Sequence, residues 1–179
     1  SSTAPPAILT RSPPRRSSAP VASLTVNPGV VIKPTPGAAI GVYGNLTMNG
    51  TAASGDTITI TSINDDNFGF TNDTNNNGSI TAPQRGDWGY INFVAGSTGS
   101  LSRCRLKFVS TGATNGVVNM TGVAIPVNNS LISDAPHGIG IFGAIPPLIS
   151  TVPINNCNST PILMSVAANP TFPGTHFPA

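Results

Sequence analysis

The sequence predicts an all-β protein, and specifically a solenoid in which short strands coil around one narrow core. Three observations lead to this prediction. Apolar residues fall in short runs, spaced two apart and closed by Gly, Asn or Pro, as is typical of strands and turns. Two or three such runs recur in roughly every 20 residues, the length of one three-sided coil. Asn-Gly and Asp-Gly turns between equal strands are scarce, which disfavours hairpins. A β-sandwich is the alternative fold.

The composition disfavours several other classes of protein. Only 8% of the 179 residues are charged and Glu is absent, which argues against surface helices built on Glu–Lys pairs. The net charge of +2 is too small and too scattered to predict nucleic-acid binding. The chain has no apolar run of the length needed to cross a membrane. We therefore expect neither a nucleic-acid partner nor a membrane span.

The chain divides into three segments. Residues 1–22 are rich in Pro and Ser and predict an extended arm. Residues 23–168 hold the apolar runs and predict the β-helical domain, interrupted by a polar loop of Asn, Asp and Gly at 64–86. Residues 169–179 predict a Pro-rich tail. The predicted strands are 24–26, 30–32, 39–44, 46–48, 57–63, 88–94, 101–109, 116–120, 122–127, 130–133, 138–142, 147–150, 152–157 and 161–166.

A series of consecutive motifs resembles a known family. LTVNPGVVIKPTPG (24–37), GNLTMNGT (44–51) and TITITSINDD (57–66) come first, and GDWGYINF (86–93) and LSRCRLKFV (101–109) follow the polar loop. In this order they resemble the β-helical repeat region of large bacterial secreted and surface proteins. The resemblance covers about 140 residues and implies a right-handed parallel β-helix, but no particular function.

The polar loop contains NDTNNNGS, which has the spacing of a calcium-binding loop. Asp73, Asn75 and Asn77 are candidate side-chain ligands, and Ser79 is a candidate backbone ligand. The twelfth position is Gln84, so the bidentate carboxylate of such loops is missing. A loop carrying an N-linked sugar and a plain Asx-turn loop are the alternatives. Ca²⁺ is the one cofactor that the sequence suggests.

Sites for N-linked sugar are more frequent than chance predicts for this composition. Their presence favours an exported protein, located outside the cell or on its surface, with covalent N-glycans. The acceptor asparagines, each in N-x-S/T without an intervening Pro, are Asn45, Asn49, Asn72, Asn77, Asn119, Asn128 and Asn158.

The two cysteines, Cys104 and Cys157, are too few for a disulfide framework. Each lies beside apolar residues in a strand-like run, which predicts two separately buried thiols. One disulfide between them is the alternative.

Three cations alternate with apolar residues in the run 101–109. Alternation places Arg103, Arg105 and Lys107 on one face of a strand, and it places the apolar set, which includes Cys104, Leu106 and Phe108, in the core. The three cations are candidates for binding an acidic polysaccharide. A solvated outer face that keeps neighbouring sheets apart is the alternative.

Catalytic material is sparse. The chain has six Asp and no Glu, Asp65-Asp66 is the only adjacent pair, and His137 has no nucleophile motif around it. We predict no catalytic residues and no enzyme, with a polysaccharide lyase or hydrolase as the weakest alternative. Trp88 is expected to have a core or capping role rather than to stack on a sugar. The sequence instead predicts a structural subunit that joins head to tail into a filament or surface layer, helped by the arm. A carbohydrate-binding adhesin module is the main alternative.

Overall fold

A computed structural model describes residues 22–70, 72–78, 80–110, 115–143 and 145–175. They form fifteen β-strands, and no helix occurs among them. The predicted arm, except for Ala22, lies outside the described residues. The strands are β1 Ser23–Val26, β2 Val31–Ile32, β3 Ile40–Val42, β4 Asn45–Asn49, β5 Ile58–Ile60, β6 Ile91–Phe93, β7 Thr98–Ser102, β8 Cys104–Lys107, β9 Val118–Thr121, β10 Val127–Asn128, β11 Leu131–Ser133, β12 Ile139–Phe142, β13 Ile149–Ser150, β14 Ile154–Asn155 and β15 Ile162–Met164.

Every third strand belongs to the same parallel sheet. We name the sheets A (β1-β4-β7-β10-β13), B (β2-β5-β8-β11-β14) and C (β3-β6-β9-β12-β15), each with five strands. The chain therefore passes through the three sheets in turn and completes five coils. All pairings between these strands are parallel, as in the register of Leu24 with Leu46 and of Val127 with Ile149. The arrangement is consistent with a parallel β-helix, as the sequence predicts, and it does not fit the antiparallel sheets of a sandwich.

Inward-facing side chains stack in columns along the coils. In sheet B, Ile60, Leu106 and Ile132 occupy one register position and are all fully buried. In sheet C, Ile91 and Val118 do the same. Each buried aliphatic side chain contributes about 1.5–3 kcal/mol relative to an exposed one. The narrow interior can therefore be filled by Val, Ile and Leu without many aromatic residues.

Two corners of the β-helix turn through left-handed backbone conformations. Arg103, Asn129 and Thr151, with φ of 52°, 48° and 54°, follow sheet A in successive coils. The sequence predicts Asn or Gly at such corners, and only the asparagine fits that prediction. An arginine and a β-branched threonine adopt the same φ, at a cost of about 1–2 kcal/mol each. The stacking of successive coils therefore overrides local backbone preference at these positions.

The corners before and after β8 divide the predicted strand 101–109 differently from expectation. β7 ends at Ser102 and β8 begins at Cys104, so Arg103 lies at the bend between sheets A and B. Cys104 and Leu106 are buried as predicted. Phe108 is not: it follows β8 at the corner between sheets B and C, with φ of 60°, and it is only half-buried. The prediction that Phe108 lies in the core is wrong because the alternation ends at Lys107.

Trp88 lies in the core, as the sequence predicts, whereas the cysteines fit the prediction of two buried thiols only in part. Trp88 is fully buried, and its indole Nε1 donates to the carbonyl oxygen of Lys107 at 2.7 Å. Both cysteines are free thiols; Cys104 is buried and Cys157 is half-buried. Among the described residues no helix is long and apolar enough to cross a membrane.

Candidate functional site

The long connection between β5 and β6, residues 61–90, is the main departure from the regular coil. It has 30 residues, whereas the equivalent connections of the other four coils have five to ten. We call it the excursion; the predicted polar loop 64–86 lies within it. It packs on the outer face of sheet B, where the Phe68 ring lies 5.0 Å from the guanidinium carbon of Arg105. Lys33 Nζ donates to the carbonyl oxygen of Asn72 at 2.6 Å.

Two carboxylates, one buried and one half-buried, hold the two ends of the excursion. Asp65 is fully buried and accepts hydrogen bonds from the Thr61 hydroxyl and from both the backbone and the side-chain nitrogen of Asn67. Asp87 accepts the Ser62 hydroxyl and the backbone N–H of Gln84, the latter at 3.0 Å. Since its carboxylate is inaccessible, Asp65 cannot contact a polysaccharide in the folded protein. The Asp65-Asp66 pair therefore offers at most one carboxylate for hydrolytic or lyase chemistry.

Asp73 closes a tight turn. Its carboxylate accepts the backbone N–H of Asn77 at 3.0 Å and that of Gly78 at 2.9 Å. The hydrogen bond from Gly78, followed by that from Asn77, holds the pKa of this carboxyl below its usual value. These contacts match the Asx-turn interpretation of the segment. Ser79, the candidate backbone ligand, lies outside the described residues.

Asn75 and Asn77 share a polar cluster with Asn64 and Thr81. Asn75 Nδ2 donates to Asn64 Oδ1 at 2.9 Å, and Asn77 Nδ2 donates to Thr81 Oγ1 at 2.6 Å. The Thr81 hydroxyl donates in turn to Asn64 Oδ1 at 3.1 Å. The amide nitrogens thus face into the cluster. The Oδ1 atoms of Asn75 and Asn77 are buried and have no hydrogen-bond partner.

The three candidate polysaccharide-binding cations do not form one strip. Arg103 occupies the corner, whereas Arg105 and Lys107 lie in β8. Lys107 Nζ is 3.8 Å from a carboxylate oxygen of Asp134 and 4.5 Å from the ring centre of Phe108. A groove of about 320 Å³ runs beside Arg103 and Arg105. The other residues that line it are Thr57, Cys104, Asn129, Ser130, Leu131, Thr151 and Pro153.

The asparagines of the sugar sites differ in accessibility. Asn49, Asn72 and Asn158 are exposed. Asn119 is only 1% exposed; its Oδ1 accepts the backbone N–H of Gly116 at 2.7 Å, and its Nδ2 donates to the Gly116 carbonyl oxygen at 3.0 Å. Since a sugar would attach to that nitrogen, Asn119 is unsuitable as an acceptor in the folded protein.

The remaining acceptors are half-buried. Asn45 Nδ2 donates to Thr98 Oγ1 at 2.9 Å across adjacent coils of sheet A, and Asn77 Nδ2 belongs to the excursion cluster. Asn128 Oδ1 is buried without a hydrogen-bond partner. Asn45, Asn77 and Asn128 are therefore packed into the folded structure, unlike the exposed asparagines.

His137 has a structural contact in the described part of the chain. His137 is only 7% exposed, and its Nδ1 accepts the backbone N–H of Thr160 at 3.3 Å, which gives it a structural role. The described part of the chain contains no group of three or more His, Cys, Asp or Glu that could hold a metal ion. A cation site here would therefore have to use carboxamide oxygens as well as carboxylates.

The two end surfaces of the β-helix are the second candidate region. Strands β1, β2 and β3 lack a partner on one side within the described segments, and so do β14 and β15 at the opposite end. In sheet A, Thr171 bridges to Leu148, so the predicted tail begins a further pairing. Nine large apolar side chains are exposed among the described residues, and seven lie in the first or the last coil. They are Leu24, Val30 and Tyr43 at one end and Ile145, Leu148, Met164 and Val166 at the other.

Comparison of the chain with protein-family models, with curated proteins and with solved structures gave no match.

Proposed function

We propose that this protein is an extracellular structural subunit that joins copies of itself end to end. One observation carries the proposal: among the described residues, the exposed large apolar side chains concentrate on the two terminal coils, where strand edges have no partner within those residues. Open N–H and C=O groups along a strand edge are a template for another strand. Val166 and Tyr43, 106% and 80% exposed, would be covered if a further coil stacked on each end.

A second copy of the chain is the occupant that fits both ends at once. Stacking the first coil of one copy on the last coil of another would continue parallel pairing in sheets B and C. It would also cover apolar groups with apolar groups, including a recess of about 300 Å³ lined by Leu24, Ile40 and Tyr43. Such a contact joins two different surfaces and does not close on itself, so its product is a filament.

The Pro-rich arm, residues 1–22, is proposed to cross the joint and to add a strand to the neighbouring copy. The last residue of this segment, Ala22, directly precedes β1, which lies at the first end surface. The prolines of the arm restrict pairing to the stretches around Ala7–Thr10 and Ala19–Val26.

Three further properties belong to this proposal. The coil is right-handed, as are about 98% of crossovers between parallel strands, and it is of the kind that the motif series resembles in large bacterial surface proteins. N-linked sugar is attached at the exposed asparagines Asn49, Asn72 and Asn158. The location outside the cell follows from those sugars.

The test uses two variants, each of which blocks a different end. Tyr43→Asp puts a charge on the first end surface, and Val166→Asp puts one on the last. Each variant alone should be monomeric by analytical ultracentrifugation at concentrations at which the wild type forms filaments. A mixture should give dimers and no longer species, because each variant retains one intact end. Phe70→Asp is the matched control: Phe70 is 106% exposed but lies in the excursion, so this variant should polymerise normally.

A wild-type chain that stays monomeric at every concentration would refute end-to-end assembly. Filaments formed by Val166→Asp would move the joint away from the last coil. Deleting residues 1–21 tests the arm separately, since a truncated chain that still polymerises shows that the arm is not needed.

A carbohydrate-binding adhesin module is the second candidate, supported by the groove beside Arg103 and Arg105. It predicts a monomer that binds an acidic polysaccharide. Arg103→Ala and Arg105→Ala should weaken that binding at least tenfold. Lys33→Ala, which removes the same charge elsewhere, should leave the affinity within twofold. Equal loss in all three variants would indicate non-specific attraction to a cationic protein.

A further inference from the structure

Buried oxygen atoms without partners are concentrated in the excursion. Four buried side-chain nitrogen or oxygen atoms lack a hydrogen bond among the described residues, and three of them are the Oδ1 atoms of Asp66, Asn75 and Asn77. All three are acceptors. Folded proteins rarely leave such groups unpaired, since the loss of hydration is not compensated. These three atoms therefore call for a donor or a cation.

The contacts around them show which side of each group is unsatisfied. The Nδ2 atoms of both Asn75 and Asn77 reach Thr81 Oγ1, at 3.3 Å and 2.6 Å, so the two carboxamides meet at one hydroxyl. Asn75 Nδ2 also reaches Asn64 Oδ1, which lies two residues before Asp66 in the chain. The Nδ2 atoms of Asn75 and Asn77 thus donate inside the cluster, whereas their Oδ1 atoms remain without a hydrogen bond.

The charge of the excursion favours a cation over a hydrogen-bond donor. Residues 61–90 contain four of the six aspartates and, as their only cation, Arg85, so the segment itself carries a charge of −3. Lys33 and Arg105 contact it from outside, at the Asn72 carbonyl oxygen and at the Phe68 ring, but within the described residues neither forms an ion pair with Asp66. Arg85 does not neutralise the cluster, because its guanidinium donates to the carbonyl oxygen of Asn156 at 2.8 Å. Asp65 and Asp87 accept hydrogen bonds from within the excursion, whereas Asp66 Oδ1 has no partner.

We propose that Asp66, Asn75 and Asn77 bind a divalent cation through their Oδ1 atoms, and that the ion is Ca²⁺. Oxygen-only ligands with two neutral carboxamides suit Ca²⁺, which accepts six to eight oxygens in flexible geometry. Mg²⁺ demands a stricter octahedron, and the soft ligands preferred by Zn²⁺ are missing from the set. Water completes the coordination. This set differs from the loop spacing in the sequence, because Asp66 takes the place of Asp73, whose oxygens hold backbone N–H groups.

Calorimetric titration of the full chain, made without glycosylation, tests the site. With a single carboxylate ligand the site should be weak, with a Kd on the order of 0.1–1 mM. Asp66→Asn keeps the shape and removes the charge, and it should weaken Ca²⁺ binding at least tenfold. Asp56→Asn makes the same charge change in the connection between β4 and β5, so its affinity should stay within twofold of the wild type.

A gain-of-affinity variant guards against loss of folding as an explanation. Asn77→Asp adds a carboxylate to the same ligand set and should tighten Ca²⁺ binding at least tenfold, with a larger rise in Tm on adding Ca²⁺. The inference is overturned if the wild type retains no Ca²⁺ at about 10 mM, or if Asp66→Asn binds like the wild type. Loss of binding in Asp73→Asn alone would move the ligands onto the turn and would equally overturn this set. None of these outcomes depends on end-to-end assembly.

Discussion

Substitution of Gly140 by Ala should destabilise sheet C around β12. A Cβ at this position would lie 2.3 Å from Asn119 Oδ1 and 2.8 Å from a ring carbon of Phe142. Either the Asn119 carboxamide must leave its paired hydrogen bonds with Gly116 or the coils must separate. Overpacking costs about 1–3 kcal/mol and a lost buried hydrogen bond about 1–3 kcal/mol. The entropic gain from replacing Gly returns about 0.4–1 kcal/mol.

Since one of these two costs applies and the replacement of Gly offsets part of it, the net expectation for Gly140→Ala is a loss of about 1–2 kcal/mol. Gly41→Ala is the matched control, because Gly41 occupies the same column of sheet C. A Cβ at Gly41 would meet only the exposed ring of Tyr43, at 3.2 Å, and that ring can move away. Gly41→Ala should therefore change the free energy of unfolding by less than about 1 kcal/mol.

Guanidinium unfolding followed by the fluorescence of Trp88 measures both variants, since this buried side chain is the only tryptophan. A Gly140→Ala protein as stable as the wild type would refute the reasoning. It would mean that the Asn119 carboxamide does not lie over Gly140. That outcome would also reopen Asn119 as an acceptor of N-linked sugar.

Three other predictions concern single groups. Thr151→Asn should raise the free energy of unfolding by about 0.5–1 kcal/mol, because Asn tolerates the left-handed conformation better than a β-branched residue; an unchanged midpoint in guanidinium would count against the strained corner. Burial raises the pKa of the Cys104 thiol to about 12, so it should resist iodoacetamide at pH 8 in the native protein, whereas half-buried Cys157 should react first, as peptide mass mapping would reveal. The pKa of Asp73 is lowered by backbone hydrogen bonds, so its stabilisation of the turn is present above the ordinary aspartate pKa and is lost as pH falls through the folded value. Carbon-13 NMR titration should give an Asp73 midpoint below the ordinary value, and a normal midpoint would argue against the turn.

The interior of the coils was predictable because alternation is a local property of the chain. Spacing alone predicts an inward face for two such pairs, Ile58 with Ile60 and Ile139 with Ile141, and all four side chains are buried. The three-sheet topology follows from the same runs once hairpin turns are missing. The apolar runs do not predict the position at which the chain bends from one sheet to the next.

The corners and the excursion depend on contacts between distant residues. The sequence pattern places Arg103 and Phe108 in one strand, because neither side chain favours a left-handed backbone. Packing against the adjacent coils imposes that conformation at both residues. The docking of Phe68 on Arg105 joins residues 37 positions apart, and no periodicity encodes that contact. The N-x-S/T motif at Asn119 does not encode its burial, because the strands on either side of it, β6 and β12, come from coils distant in the chain.

The regular register of the later coils makes length an adjustable quantity. Val127 pairs with Ile149 and also with Leu101, so removal of residues 127–148 would bring Ile149 beside Leu101 with every inward column intact. Duplication of the same 22 residues would add one coil without disturbing the coils on either side. Each such step changes the height of the molecule by about 4.8 Å, the distance between neighbouring strands. Insertion or deletion of whole coils can therefore lengthen or shorten the β-helix in fixed steps.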